Sequence, residues 1–568
     1  MNDVCLFKTN LLGSYVCMSK RDFSAYQGWF LFNERKWDLF KVVDFIKGDF
    51  EYFLSDSTLF LKSGVSQEIV VDLDFRSIHD FDDSGRIYEF YEKDDLFIVC
   101  YKKFSDNSLN NLSFTRYLAI KGLESKNLIS SWVKKFYPYD AVRKASCDIH
   151  VFRLLEGVAQ NLTFGFGSSE EEAVVNARVI AKDRGDDVEF GVVSQKKLAD
   201  SVGDVIFDVS RAFSSCVKFN SRGGPLIFAG YPWFYQVWGR DECLSLTGLF
   251  HQNKFDLAKM IILRNLNTIG GSGILPNRFP SSVLGSADAT GWLFQRISLF
   301  LKKSKYVVFK KNELELIENK LDLFLSACKK KSYKGLVYNG PKETWMDTTD
   351  PDFFDTREGA RVEIQALYLS ALDLKILLRK IAGDLVGVSR FGHLFAKKKT
   401  LIRNQLIKDN IIFDGVKDGV LDLTPRPNVF LAYYAYPSLA SKSQWNLTFD
   451  FVLSECWLDW GGFSSIAKSH YLFKDTYSGM DNVSYHRGDS WFFINNIAAI
   501  SMFVLDFKKY SSFILKIKDA SVFECKSSGF IGFCAEVSSA KNLESCGCLN
   551  QAWSSATLLE LLCRLRLS

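Results

Sequence analysis

Residues 229–250 read AGYPWFYQVWGRDECLSLTGLF. Apolar and aromatic side chains surround one Trp-Gly-Arg-Asp tetrapeptide, Trp238–Asp241. Arg and Asp seldom sit in such company unless they pair or bind something. The stretch also lies just beyond a change in texture. Earlier in the chain, short apolar runs alternate with turn residues; from here on, long segments of period 3.6 dominate.

The earlier part contains EYFLSDSTLFLKSG (51–64), EIVVDLDF (68–75), RIYEFYEKDDLFIVCYKKF (86–104) and LSFTRYLAIKG (112–122). Their approximate period-two patterning predicts successive antiparallel strands, packed as a β-sandwich. GSSEEEAVVNARVIAKDRGDD (167–187) then reads as a helix. Ser168 or Ser169 is its cap, and Gly185 follows its end. Charged, turn-prone sequence around 183–197 reads as an inter-domain connection. Beyond it, 241–266, 313–331, 362–381, 490–505 and 551–565 carry helical periodicity. The expected organisation is a β-domain with its linking helix over 1–190 and an all-helical domain over 195–568. So many helices must pack as a bundle, a solenoid or a barrel, and no fixed-period repeat favours a solenoid.

Composition narrows the function. With 71 Lys and Arg against 66 Asp and Glu, the net charge of +5 is too weak to argue for nucleic acid. The 13 cysteines form no disulfide framework and no ligand set for zinc. No leader and no long apolar run stands out, so the expectation is a cytoplasmic protein with no membrane association. A nucleophile elbow, a phosphate loop and a dinucleotide fingerprint are all missing.

Carboxylates do recur beside Trp, Tyr and Gly: in 238–242, in ETWMDTTDPDFFDTREGARVE (343–363), in YHRGDSW (485–491) and in 532–554. Carboxylates and aromatic rings without an activated Ser or Cys suit glycoside chemistry. That chemistry needs one protonated carboxyl for the leaving oxygen and one carboxylate to activate water or attack.

These motifs carry a resemblance. GYPWFYQVWGRDECLSLTGL, GILPNRF, SADATGWLF, ETWMD, RVEIQALYLSAL, RPNVFLAYY, YHRGDSW and CLNQAWSSATLLELL occur in that order. The ordered set resembles the catalytic module of archaeal and bacterial glycogen debranching enzymes, the amylo-α-1,6-glucosidase family. LLGSYVCMSKRDFSAYQGWFL (11–31) resembles that family's first-domain signature. The resemblance implies a β-sandwich followed by an (α/α)6 barrel, and inverting hydrolysis of α-glucosidic bonds without metal or organic cofactor. Asp347 corresponds to the general acid, with Trp345 limiting its hydration. Glu536 corresponds to the base, although Val537-Ser538-Ser539 stands where the family often has aromatic-Asp-Gly. Asp489 is the rival base, or else a hydroxyl-binding or capping residue.

Arg240 and Asp241 correspond to residues gripping the terminal glucose; the plainer reading is a buried salt bridge. Glu363 and Asp288 would orient groups, bind sugar or form ion pairs. Trp238, Tyr485, His486 and Trp491 would line the pocket. The expected partner is an α-glucan, glycogen or limit dextrin, with a separate glucanotransferase or phosphorylase in the same pathway. Two alternatives share the scaffold: another exo-α-glucosidase, glucoamylase-like or trehalose-hydrolysing, and a catalytically silent α-glucan-binding protein.

Overall fold

The structure, a computed structural model, describes residues 5–19, 22–104, 113–178, 205–280, 285–349 and 356–567. It divides into two compact units, Met1–Gly203 with Lys218–Arg222, and Asp204–Val217 with Gly223–Ser568. The connection expected at 183–197, and the end of the helix at Gly185, lie outside the described residues.

Among its described residues the first unit has eleven strands: β1 (Cys5–Thr9), β2 (Tyr15–Ser19), β3 (Gly28–Asn33), β4 (Asp38–Ile46), β5 (Glu51–Leu54), β6 (Thr58–Ser77), β7 (Arg86–Lys93), β8 (Leu96–Lys103), β9 (Phe114–Lys121), β10 (Ser125–Phe136) and β11 (Asp148–Gly167). They pair antiparallel in one sheet, in the order β1-β2-β3-β4-β6-β11-β9-β8-β7, with β5 on β6 and β10 on β11. Strand β7 lies three places from β11 in that order, about 14 Å away in a flat sheet at the usual spacing. Yet Tyr88 of β7 stacks on Phe152 of β11 with ring centroids 4.4 Å apart. The sheet therefore folds over itself into two layers around a core that includes Trp29, Leu73, Val99 and Phe164. The turn-like residues of 62–66, which the sequence reading places at a strand end, lie inside the single strand β6. The ladder with β11 slips there, between Ala159 and Asn161, so the strand bends through a bulge instead of ending. Among the same residues are two short helices, α1 (Pro138–Val142) and α2 (Glu170–Arg178). At the start of α2, Ser169 Oγ accepts from the Glu172 N–H at 3.2 Å, so Ser169 is the cap.

The second unit has eleven helices among its described residues: α3 (Val205–Ser214), α4 (Gly239–His251), α5 (Phe255–Thr268), α6 (Ala289–Lys303), α7 (Lys311–Lys330), α8 (Val362–Ile381), α9 (Leu385–Leu406), α10 (Asn428–Ala435), α11 (Lys442–Cys456), α12 (Phe492–Ser527) and α13 (Ala552–Leu567). The segment 241–266, one periodic run in sequence, is two helices, because Asn253 takes a left-handed φ of 57° between α4 and α5. Helix α12 breaks at Asp506.

Contacts run α4–α6–α8–α10–α12–α13 and return from α13 to α4, closing a ring. Helix α3 backs onto α13, α5 onto α4 and α6, α7 and α9 onto α8, and α11 onto α10 and α12. Side chains account for this sorting. Ring helices are buried all round: Val362–Leu372 of α8 is buried without a break, whereas α9 buries only Gly387, Ile402 and Leu406. Close approach also needs small residues. A Cβ at Gly291 of α6 would meet Leu367 of α8 at 2.8 Å. No helix among the described residues is long and apolar enough to cross a membrane.

The folded sheet hides charge as well as apolar surface. Asp74 receives Lys41 at 3.2 Å, Arg76 at 2.7 Å and Arg86 at 2.8 Å, and Lys135 bridges Asp44 and Asp72 at 2.9 and 2.8 Å. Burial opposes ionisation of Asp74, but the three cations outweigh it and hold its carboxyl below the usual range. A carboxyl depressed in the folded state stabilises above its unfolded pKa, near 3.9, and that contribution is lost as pH falls. Asp74→Ala strands three buried cations and should cost about 3–5 kcal/mol in denaturant unfolding at pH 7. The penalty should shrink as the pH drops below about 4; a penalty unchanged by pH would show that the ionised carboxylate is not what stabilises.

Candidate active site

The ring helices bring their N-terminal ends to one place, and each contributes a polar or aromatic residue at or next to its first turn: Arg240 and Asp241 on α4, Asp288 before α6, Glu363 on α8, Asn428 on α10, Trp491 before α12 and Gln551 before α13. Short two-residue strands deliver several of these starts. Val237–Trp238 pairs with Arg278–Phe279 ahead of α4, Ser490–Trp491 with Val537–Ser538 ahead of α12, and Gly230–Tyr231 with Asn550–Gln551 ahead of α13.

Arg240 lies at the centre of the acidic groups. Its Nε donates to Asp288 Oδ2 at 2.6 Å, and Nη1 stands 3.7 Å from Asp347 Oδ2. Nη2 is buried and has no hydrogen-bond partner. Asp288 Oδ1 accepts from Ser286 Oγ at 3.0 Å. Asp241, next in the chain, accepts from Gln551 Nε2 at 3.1 Å. Its carboxyl is pushed up to about 8, by burial first, with Glu536 and Asp347 adding to it against the pull of Arg240. Asp347 has 23% of its side chain open to solvent. Its carboxyl is nonetheless raised to about 6, chiefly by desolvation, Arg240 opposing and Asp288 reinforcing.

The second carboxylate, Glu536, is buried and held at both oxygens. The Tyr485 hydroxyl donates to Oε1, and the Cys548 N–H donates to Oε2 at 2.9 Å. Gly547 makes room for it: at φ 67°, a Cβ there would sit 2.3 Å from Oε2. Asp489 is buried deeper in the same loop system. Its Oδ2 accepts from Ser484 Oγ at 2.8 Å, Oδ1 has no hydrogen-bond partner, and burial with the nearby Glu536 charge pushes the carboxyl to about 8.

Aromatic rings complete the wall. Trp345 meets His486, Trp491 and Phe493 edge-on at 5.3, 5.4 and 5.5 Å, and its Nε1 donates to Asn428 Oδ1 at 2.8 Å. Tyr485 lies 4.6 Å from Trp491, and His486 stacks on Trp491 at 5.2 Å. His486 Nδ1 meets Thr348 Oγ1 at 2.8 Å, while Nε2 is buried with no partner. Trp238 carries the Arg278 guanidinium 5.4 Å from its ring centre.

One sequence-derived residue points elsewhere. Both oxygens of Glu363 bind Arg357, at 2.5 and 2.8 Å, so it is spent on an ion pair. Two others escaped the sequence reading. Gln551 positions Asp241 and keeps a buried, unpartnered Oε1; Asn277, whose carbonyl accepts from the Gly239 N–H at 3.0 Å, has both side-chain amide atoms buried and unpartnered. Their only sequence signal is membership of the CLNQAW and GILPNRF motifs. Buried polar atoms rarely go unsatisfied. Here Arg240, Asn277, His486, Asp489 and Gln551 each keep at least one such atom.

A sequence-family model described as Amylo-alpha-1,6-glucosidase matches residues 210–560. No curated protein matches the chain in sequence. Among solved structures, the chain is similar to a bacterial glucoamylase complexed with acarbose, at a TM-score of 0.61 and 10% identity over 99% of this chain and 85% of that one. It is also similar to a GH63 mannosylglycerate hydrolase from Thermus thermophilus in complex with glucose, at a TM-score of 0.46 and 12% identity over 64% of this chain and 100% of that one. At such identities the likeness is one of fold.

Burial, with Arg487, Arg240 and Arg357 around it, holds His486 well below its ordinary pKa. Its ring should therefore stay neutral from pH 8 to 5, read from ¹⁵N shifts of labelled histidine. Because the unfolded ring takes a proton near pH 6.5, the neutral site costs stability as the pH falls below that value. Protonation of His486 near pH 6.5 in the folded protein would overturn this account.

Proposed function

The chain belongs to the amylo-alpha-1,6-glucosidase family of glycoside hydrolases, and from that premise we propose that it releases single glucose units from α-1,6 branch stubs of glycogen or limit dextrin with inversion. The observation that carries the reading is Asp347: a carboxyl raised to about 6 by desolvation, beside a buried guanidinium with one donor unspent. We read the closed ring, with the part of α12 after Asp506 as its sixth outer helix, as an (α/α)6 barrel. The folded β-unit is the sandwich that accompanies it.

In the proposed mechanism the terminal glucose enters among the N-terminal ends of the ring helices. Arg240 Nη2, Gln551 Oε1 and Asp241 take its hydroxyls, and the rings of Trp238 and Trp491 cover its faces. Asp347 gives its proton to the glycosidic oxygen as the bond to the anomeric carbon breaks. Water attacks that carbon from the opposite face and passes its proton to Glu536, whose carboxylate is fixed by Tyr485 and the Cys548 N–H. The product is β-glucose. Proton exchange with solvent then restores both carboxyls. Asp489, whose Oδ2 already serves Ser484, acts behind Glu536 and not as the base.

Phosphorylase-trimmed dextrin, isomaltose, maltose and trehalose separate this reading from its relatives. Glucose from the first two, appearing as the β-anomer, supports it. Preference for maltose or trehalose makes the chain another exo-glucosidase, and no product from any of them makes it a binding protein. Asp347→Asn should lower kcat by about 10²–10⁴-fold while the fold is kept. With wild-type protein, kcat/KM should decline above about pH 6, as the free enzyme's acid loses its proton. Gly547→Ala should lower kcat about 100-fold, because the Glu536 carboxylate must move to admit the methyl group. Near-normal turnover in either variant would remove that carboxyl from its role.

A further inference from the structure

The residue that follows the acid is gripped through its main chain and its side chain. The Thr348 N–H donates to His486 Nδ1 at 3.4 Å, and the Thr348 hydroxyl meets the same nitrogen at 2.8 Å. The Thr348 carbonyl accepts from Arg487 Nη2 at 3.1 Å. His486 and Arg487 are adjacent in the chain, so one dipeptide holds the loop of Asp347 at its next residue. Packing fixes the plane of the imidazole. It stacks on Trp491 at 5.2 Å with 10° between the planes, and Trp345 meets it edge-on at 5.3 Å.

These contacts decide where the ring carries its hydrogen. A main-chain N–H can only donate, so Nδ1 accepts from it and has no hydrogen of its own. The Thr348 hydroxyl must then donate to Nδ1 as well. A neutral imidazole has one N–H, which therefore sits on Nε2. That nitrogen is buried and meets no acceptor in the protein. A buried donor in that state costs about 1–3 kcal/mol, which an oxygen brought by a ligand recovers.

We propose that Thr348 is a positioning residue. It fixes His486 as the Nε2–H tautomer, so that Nε2 donates to an oxygen of the sugar entering beside Asp347. It also ties the acid's loop to the wall that meets that sugar, so acid and donor are set by one residue. The inference rests on the α-glucan reading of the site. It adds a selectivity: Nε2–H cannot accept, so the sugar must present a lone pair at that point.

The test uses wild-type protein, Thr348→Val, which keeps the main-chain N–H but has no hydroxyl, and Thr348→Ser, which keeps both. In ¹⁵N spectra of histidine-labelled protein, His486 is assigned by its loss in His486→Gln. Wild type and Thr348→Ser should show an unprotonated, hydrogen-bonded Nδ1 and a protonated Nε2. In Thr348→Val the Nδ1 signal should move toward that of an unbonded ring nitrogen. A hydrogen on Nδ1 in the wild type overturns the proposal. On limit dextrin and isomaltose, Thr348→Val should lower kcat/KM about 10- to 100-fold, and Thr348→Ser less than about threefold. No loss in the valine variant, or equal losses in both, overturns it. Glucose, mannose and galactose are then added in turn to the wild type. The Nε2–H signal should shift with glucose as the donor gains an acceptor. If no glucoside is hydrolysed but mannose or galactose shifts the signal, the α-glucan reading fails and the role of Thr348 stands. If none of the three sugars shifts it, the donor role is rejected.

Discussion

A guanidinium almost sealed from water organises the site. Arg240 is 2% exposed, and a buried cation that is not met by carboxylates costs several kcal/mol. Asp288 must therefore reach it from the start of α6, and the loop carrying Asp347 must descend to within 3.7 Å. Satisfying that charge draws Asp288 and the loop of Asp347 together. The pairing is incomplete, however. One donor of Arg240 is left over, and Asp347 receives only a distant contact, so desolvation still wins there and its carboxyl stays high.

Both units bury charge. In the folded sheet, Lys41, Arg76 and Arg86 converge on Asp74 and pair with it. At the ends of the ring helices, Asn277, Gln551 and His486 keep buried atoms unmatched. Unmatched groups destabilise the empty protein by about 1–3 kcal/mol each. Such a cost persists where a ligand removes it.

Much of this was legible in the sequence. The change from period two to period 3.6 separated the units, and Arg240-Asp241 stood out as charges within an apolar run, whereas Asp347 and Glu536 were singled out only through the ordered motifs that resemble the family. Other features were hidden for physical reasons. Asp72 and Asp74 alternate with apolar residues as a solvent face would, and alternation cannot tell water from a second layer of sheet. Gln551 meets Asp241 across more than three hundred residues, and an amide carries no charge contrast to flag it. Glu363 was open between sugar binder, orienting group and ion pair; only the way the backbone ahead of α8 turns Arg357, six residues earlier, back onto it decides. The break between α4 and α5 depends on one left-handed Asn.

Closure of the ring has a consequence in time. Helix α13 completes it by packing on α4, whose sequence lies some three hundred residues earlier. Contacts of such separation form late, after the intervening chain has been synthesised and its entropy spent. Gln551 and the Cys548 amide arrive with that last helix and the loop before it. During synthesis the nascent chain can therefore present a folded β-unit and several stacked helices, yet hold no seat for Glu536 and no partner for Asp241. The seat of Glu536 and the partner of Asp241 are in place only once α13 has docked.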